Sequence, residues 1–95
     1  MPNPSKNKGS RFEREIVHLA ETFNLKAYRV PLSGSCKGFK GDVMVAGRKM
    51  ECKKRASGFI QIRKWLQPDF DGIIIGSDRE PPLVILRLQD WLKCL

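Results

Sequence analysis

Gly41-Asp-Val-Met-Val-Ala-Gly-Arg-Lys-Met-Glu-Cys-Lys53 is the stretch on which the reading of the whole chain turns. Two short runs with strand character, Val43–Val45 and Lys49–Cys52, flank Ala46-Gly47, so the segment predicts a β-hairpin. With Ala46-Gly47 as the loop, Val45 pairs with Arg48 and Asp42 falls opposite Glu51, their Cβ atoms roughly 4.5–5.5 Å apart. Glu51 and Lys53 share a face because strand side chains alternate. Val43, Met50 and Cys52 take the other face and are expected to enter a core. A Gly47-Arg48 turn would change the partners but not the faces; an odd-length loop without a bulge would separate the acids.

Two facing carboxylates repel, and the repulsion is relieved by a shared proton or a shared cation. Oxygen ligands completed by water suit Mg²⁺ or Mn²⁺. A lysine alongside can orient an attacking water or offset charge growing on a phosphate. The plain alternative is a solvated hairpin, since an Asp, a Glu and a Lys at this spacing match many sequences by chance.

Composition narrows the classes. A chain of 95 residues with 41% hydrophobic content supports one domain with a modest core. No apolar run approaches membrane-spanning length, and the first residues, Met1-Pro-Asn-Pro-Ser-Lys-Asn-Lys8, lack the apolar segment of a secretory signal. Three cysteines without CxxC spacing and a single histidine argue against a disulfide framework and a structural zinc site. Reduced thiols in the cytoplasm account for them most simply. A net charge of +8 points to a polyanionic partner, nucleic acid first, although a basic protein of another kind fits charge alone.

Outward from the hairpin, residues 1–9 read as a flexible basic arm. Ser10-Arg-Phe-Glu13 has capping-box spacing and opens a predicted helix. Its apolar face is Phe12, Ile16, Val17, Leu19, Ala20 and Phe23, with Arg14, Glu15, His18 and Glu21 opposite. Glu13 falls inside the apolar arc, so it either caps the helix or is a third carboxylate aimed at the hairpin. Asn24 ends the helix and Lys26–Pro31 reads as a strand. Leu32-Ser-Gly-Ser-Cys-Lys-Gly-Phe-Lys-Gly41 is a loop of small residues and lysines, suited to phosphate or simply a connection. No nucleotide-binding glycine pattern is present. After the hairpin, Phe59–Leu66 predicts a short amphipathic helix; Gln61 is either a substrate contact or a surface residue. Asp71–Gly76 reads as a buried strand, Asp78-Arg-Glu-Pro-Pro82 as a turn, Leu83–Leu86 as a strand and Leu88–Leu95 as a helix, whose Trp91 and Leu92 pack on the core or on a second subunit. The order is α-β-β-β-α-β-β-α: an α/β fold with a central mixed β-sheet flanked by helices.

Three stretches together resemble the archaeal Holliday junction resolvases of the PD-(D/E)XK nuclease superfamily. They are Lys8-Gly-Ser-Arg-Phe-Glu13-Arg-Glu-Ile-Val17, Arg29-Val-Pro-Leu-Ser33-Gly-Ser35, and Gly41-Asp42 through Glu51-Cys-Lys53. The likeness covers residues 8 to about 55; beyond them only the order of elements matches. Gly41 stands where the signature often has proline, and the segment after Lys53 is compressed.

The resemblance implies a restriction-endonuclease-like core as a single domain over residues 10–95. It implies a metal-dependent DNA endonuclease, a Holliday junction resolvase-like enzyme that hydrolyses phosphodiester bonds in branched DNA to 5′-phosphate and 3′-hydroxyl ends. Asp42, Glu51 and Glu13 would be the metal-site acids for Mg²⁺, with Mn²⁺ able to substitute, and Lys53 the catalytic lysine. Ser33 would lie at the rim of the site, with Ser35 in the same loop. Arg11, Arg14, Arg29, Lys37, Lys40, Lys54 and Arg55 would bind DNA backbone, making recognition shape-directed and salt-dependent. Paired cuts in a four-way junction imply a two-fold homodimer, and nothing implies a membrane. The alternatives are another nuclease on this core (nicking, repair or restriction type) and a non-catalytic basic nucleic-acid-binding module.

Overall fold

The computed structural model describes residues 4–30 and 42–95. Two compact units divide the chain, Met1–Lys54 and Arg55–Leu95. Among the described residues three helices and two antiparallel sheets follow in the order α-β-β-β-α-β-β-α that the sequence predicts. A central mixed sheet is not what forms: among the described residues the strands make one three-stranded and one two-stranded sheet, both antiparallel.

In the first unit, helix α1 spans Pro4–Thr22. It begins before Ser10, because proline is pre-organised for a first helical turn and a single interior glycine, Gly9, costs only about 1 kcal/mol. The helical stretch therefore takes in part of the expected basic arm. Ile16 and Ala20 are buried on one face, with Phe12, Val17, Leu19 and Phe23 half-buried beside them. Arg14, Glu15, His18 and Glu21 are exposed, as their spacing predicts. Asn24 stops the helix in the left-handed region at φ 60°. Its N–H donates to the Glu21 carbonyl and that of Leu25 to the Ala20 carbonyl, which closes a Schellman cap.

Strand β1 (Ala27–Arg29) pairs with β2 (Asp42–Val45), which pairs with β3 (Arg48–Glu51). Ala46 and Gly47 both have positive φ, 49° and 81°, the signature of a type I′ two-residue turn whose twist suits a hairpin. Val43 and Val45 are fully buried on the face where α1 meets β1 and β2, and with Ile16 and Ala20 they form this unit's core. Met50, expected in that core, is 37% exposed. It shares the face of Val43, but β3 lies beyond β2 at the margin and all four of its residues stay exposed. Cys52 is half-buried.

The second unit holds α2 (Ile60–Trp65), β4 (Gly72–Ser77), β5 (Glu80–Leu86) and α3 (Leu88–Lys93). β4 is not buried on both faces as its apolar run predicts: Ile73 and Ile75 are half-buried while Ile74 between them is 78% exposed. A two-stranded antiparallel sheet covered on one side alternates in this way. Pro81 and Pro82, expected in the turn, lie inside β5; proline is tolerated where its missing N–H faces no partner strand. Gly72 is required by close approach, since a Cβ there would stand 2.5 Å from Leu86 Cδ2 and 2.8 Å from the Ile85 carbonyl oxygen. Arg87 donates to the carbonyls of Phe70 (2.9 Å) and Gln67 (3.0 Å), tying the end of β5 to the segment after α2. Leu92 of α3 is buried, while Phe59, Ile60 and Trp65 around α2 remain substantially exposed. No helix among the described residues is long and apolar enough to cross a membrane.

Candidate active site

Asp42 and Glu51 are direct cross-strand partners, and Val45 pairs with Arg48, so the hairpin has the register read from its Ala-Gly loop. Both acids lie on the sheet face that also carries Met44 and Lys49, opposite the face of Val43 and Val45. The Lys53 Nζ stands 3.5 Å from Glu51 Oε1, which brings the predicted lysine to the predicted acid. Lys49 Nζ stands 3.4 Å from Asp42 Oδ2. Sequence reasoning passed over Lys49, although the register sets it diagonally across from Asp42, within reach of a long side chain.

Glu13 comes from α1. Among the described residues it is the buried charged side chain, 5% exposed, as its place in the apolar arc predicts. Burial of a carboxylate is tolerable only with a charged or hydrogen-bonded partner. Arg29 supplies it: its Nε donates to Glu13 Oε1 at 2.8 Å, and its Nη2 donates to Ser10 Oγ at 3.3 Å. Ser10 thus serves as a mid-helix acceptor and not as the helix cap. Arg29, expected to bind DNA backbone, turns its guanidinium toward the helix.

Cys52 joins these groups electrostatically. Its thiol is pushed up to about 11, first by burial and then by the negative charge of Glu13, Asp42 and Glu51. As placed, each of these acids is answered by a cation: Glu13 by Arg29, Asp42 by Lys49 and Glu51 by Lys53. Among the described residues no three His, Cys, Asp or Glu side chains stand at metal-holding spacing. Every buried side-chain nitrogen or oxygen among them has a hydrogen-bond partner.

Of the residues expected to contact DNA, Arg11 and Arg14 are exposed on α1. Lys54 is half-exposed, with its ammonium 3.9 Å from Glu15 and 5.4 Å over the Phe12 ring. Arg55 and Gln61, both exposed, belong to the second unit. Ser33, Ser35, Lys37 and Lys40 lie outside the described residues. Compared with known proteins, the chain matches no family model, no curated protein and no solved structure.

Proposed function

We propose that the chain is a metal-dependent DNA endonuclease, resembling the Holliday junction resolvases, built on a restriction-endonuclease-like core. The observation that carries this reading is the pairing of Asp42 with Glu51 across the hairpin, with Lys53 at 3.5 Å from Glu51. Glu13, the third acid of this reading, is buried in the same unit and is paired there with Arg29 at 2.8 Å.

Three carboxylates without a thiolate or imidazole among the proposed ligands fit a hard divalent ion in kind. Asp42 and Glu51 would hold Mg²⁺ or Mn²⁺, with Glu13 joining directly or through water. Bound there, the ion supplies Lewis acidity toward a phosphate and acidifies a water. The chain's own residues do the rest. Lys53 orients the water or offsets charge growing on the phosphate. Arg29 holds the Glu13 carboxylate in the protein interior. Lys49 is a second ammonium on the acid-bearing face. The exposed Arg11 and Arg14 add positive potential that attracts the DNA backbone without reading bases.

One chain supplies one such set, and paired cuts in a four-way junction need two, which a two-fold homodimer provides. DNA recombination or repair in the cytoplasm is the setting this activity fits. A second reading, a non-catalytic basic module that binds nucleic acid, is favoured by the ion pairs that answer each acid.

The test incubates the protein with a labelled four-way junction and a matched linear duplex, in Mg²⁺, in EDTA, and with Asp42→Asn. Symmetric cuts near the branch that vanish with EDTA and with Asp42→Asn bear the proposal out. Equal metal-dependent cutting of both substrates keeps a nuclease of another type. Binding indifferent to EDTA with no strand breaks leaves the non-catalytic module.

A further inference from the structure

The sheet face bearing Asp42 and Glu51 carries one more row of side chains. Tyr28 of β1 pairs with Met44 of β2, and Met44 with Lys49 of β3, so the three cross the sheet in a line. Tyr28 is 47% exposed. The opposite face is the one that α1 covers and where both valines are buried, so the Tyr28 ring stands on the open side of the sheet with the two acids. Met44, half-buried, offers a soft, polarisable surface beside the ring, and Lys49 ends the row with an exposed ammonium.

The spacing relates this row to the acids. Neighbouring strands lie about 4.8 Å apart and same-face residues of one strand about 6.7 Å apart, which sets the backbones of Tyr28 and Asp42 roughly 8 Å from each other. That is within the reach of one nucleotide. We infer that Tyr28, with Met44 and Lys49, forms a subsite for a nucleobase lifted out of its stack next to the phosphate to be cut. The inference rests on the nuclease reading and narrows its substrate.

A flat ring and a thioether accept any base by its π-face, and an ammonium alongside takes the adjoining phosphate. In a continuous duplex both faces of every base are already covered by neighbours. At a branch point, a flap or a mismatch one face can open at small cost. The subsite therefore selects DNA with an unpaired or unstacked base beside the cut, without regard to its identity.

The test measures binding, by fluorescence anisotropy with Ca²⁺ in place of Mg²⁺, to a four-way junction and to a matched continuous duplex. Wild type is compared with Tyr28→Ala and Tyr28→Phe, each checked for folding by circular dichroism, and wild-type cutting of the junction is recorded in Mg²⁺. Tyr28→Ala should weaken junction binding about 5- to 150-fold, the effect of losing one base–aromatic stack. Duplex binding should stay within about twofold, because duplex affinity is carried by phosphate contacts. Tyr28→Phe should restore the junction affinity, since the ring and not the hydroxyl stacks. Junction affinity unchanged in Tyr28→Ala, an equal loss on both substrates, or failure of Tyr28→Phe to restore it overturns the subsite while leaving a cutting enzyme intact. A wild-type chain that neither binds nor cuts DNA overturns the subsite together with the nuclease reading.

Discussion

Replacing Arg29 by leucine removes the donor that holds Glu13, and the two sides of this pair are unequally exposed. The Glu13 side chain is 7% exposed and that of Arg29 40%. In Arg29→Leu the carboxylate stays in the interior without its 2.8 Å donor. Stranding one partner of a buried pair costs about 3–5 kcal/mol, and water reaching the vacated Arg29 side lowers that here to about 2–3 kcal/mol. In Glu13→Leu the guanidinium is free to swing into solvent and a leucine enters the apolar arc of α1, so the change should stay within about 1 kcal/mol of wild type. The double variant should resemble Glu13→Leu, giving a coupling of about 2–3 kcal/mol, equal to the Arg29→Leu loss. Urea unfolding followed by far-UV circular dichroism is the suitable assay, because α1 has 19 helical residues against six in each of the other helices. Trp65 and Trp91 both lie in the second unit, so tryptophan fluorescence reports on that unit separately. Equal losses for Arg29→Leu and Glu13→Leu, or none for Arg29→Leu, would refute the asymmetry argued from burial.

Three further outcomes follow from local geometry. Ala46→Asn should stabilise the first unit by about 0.5–1 kcal/mol in the same unfolding assay, since Ala46 sits at φ 49° in a turn that favours Asn-Gly. Gly72→Ala should destabilise the second unit by about 1–3 kcal/mol, read by tryptophan fluorescence, because the new Cβ meets backbone as well as a side chain. Cys52, with its thiol raised to about 11 from 9.0, should be alkylated by iodoacetamide at pH 8 about tenfold more slowly than an unperturbed thiol, its smaller thiolate fraction being partly offset by a more nucleophilic thiolate, measured by mass spectrometry of the modified peptide. The sign for stability is the same: a raised thiol leaves the fold unaffected below pH 9 and withdraws stability as pH climbs from 9 toward 11.

Much of the first unit was legible because short-range rules converge there. Ala46-Gly47 admits a two-residue turn, the turn sets the register, and the register brings Asp42 to Glu51. Helical spacing alone carried Glu13 inward. What escaped depended on partners that no local pattern names. The Ser10–Glu13 spacing resembles a helix start, yet the chain is already helical and Ser10 answers Arg29. Arg29 reads as a DNA contact until a buried carboxylate within reach claims its Nε. Lys49 becomes visible only once the strands are registered. In the second unit the run Ile73-Ile74-Ile75 has no alternation in its letters, so periodicity could not reveal that one face alone is covered. Gathering β1 to β5 into one sheet was a topological expectation; hydrogen bonding among the described residues divides them in two.

The central claim is that the paired carboxylates of the hairpin do chemistry on a phosphodiester. Single-turnover cutting of a four-way junction in Mg²⁺, wild type against Glu51→Gln, tests it most directly. Glu51 is 53% exposed at its side chain, so its loss should leave the fold intact by circular dichroism. Cutting should fall by about a hundredfold or more, the scale of losing a group that organises charge in a transition state. A Glu51→Gln protein that cuts the junction at the wild-type rate would contradict the account.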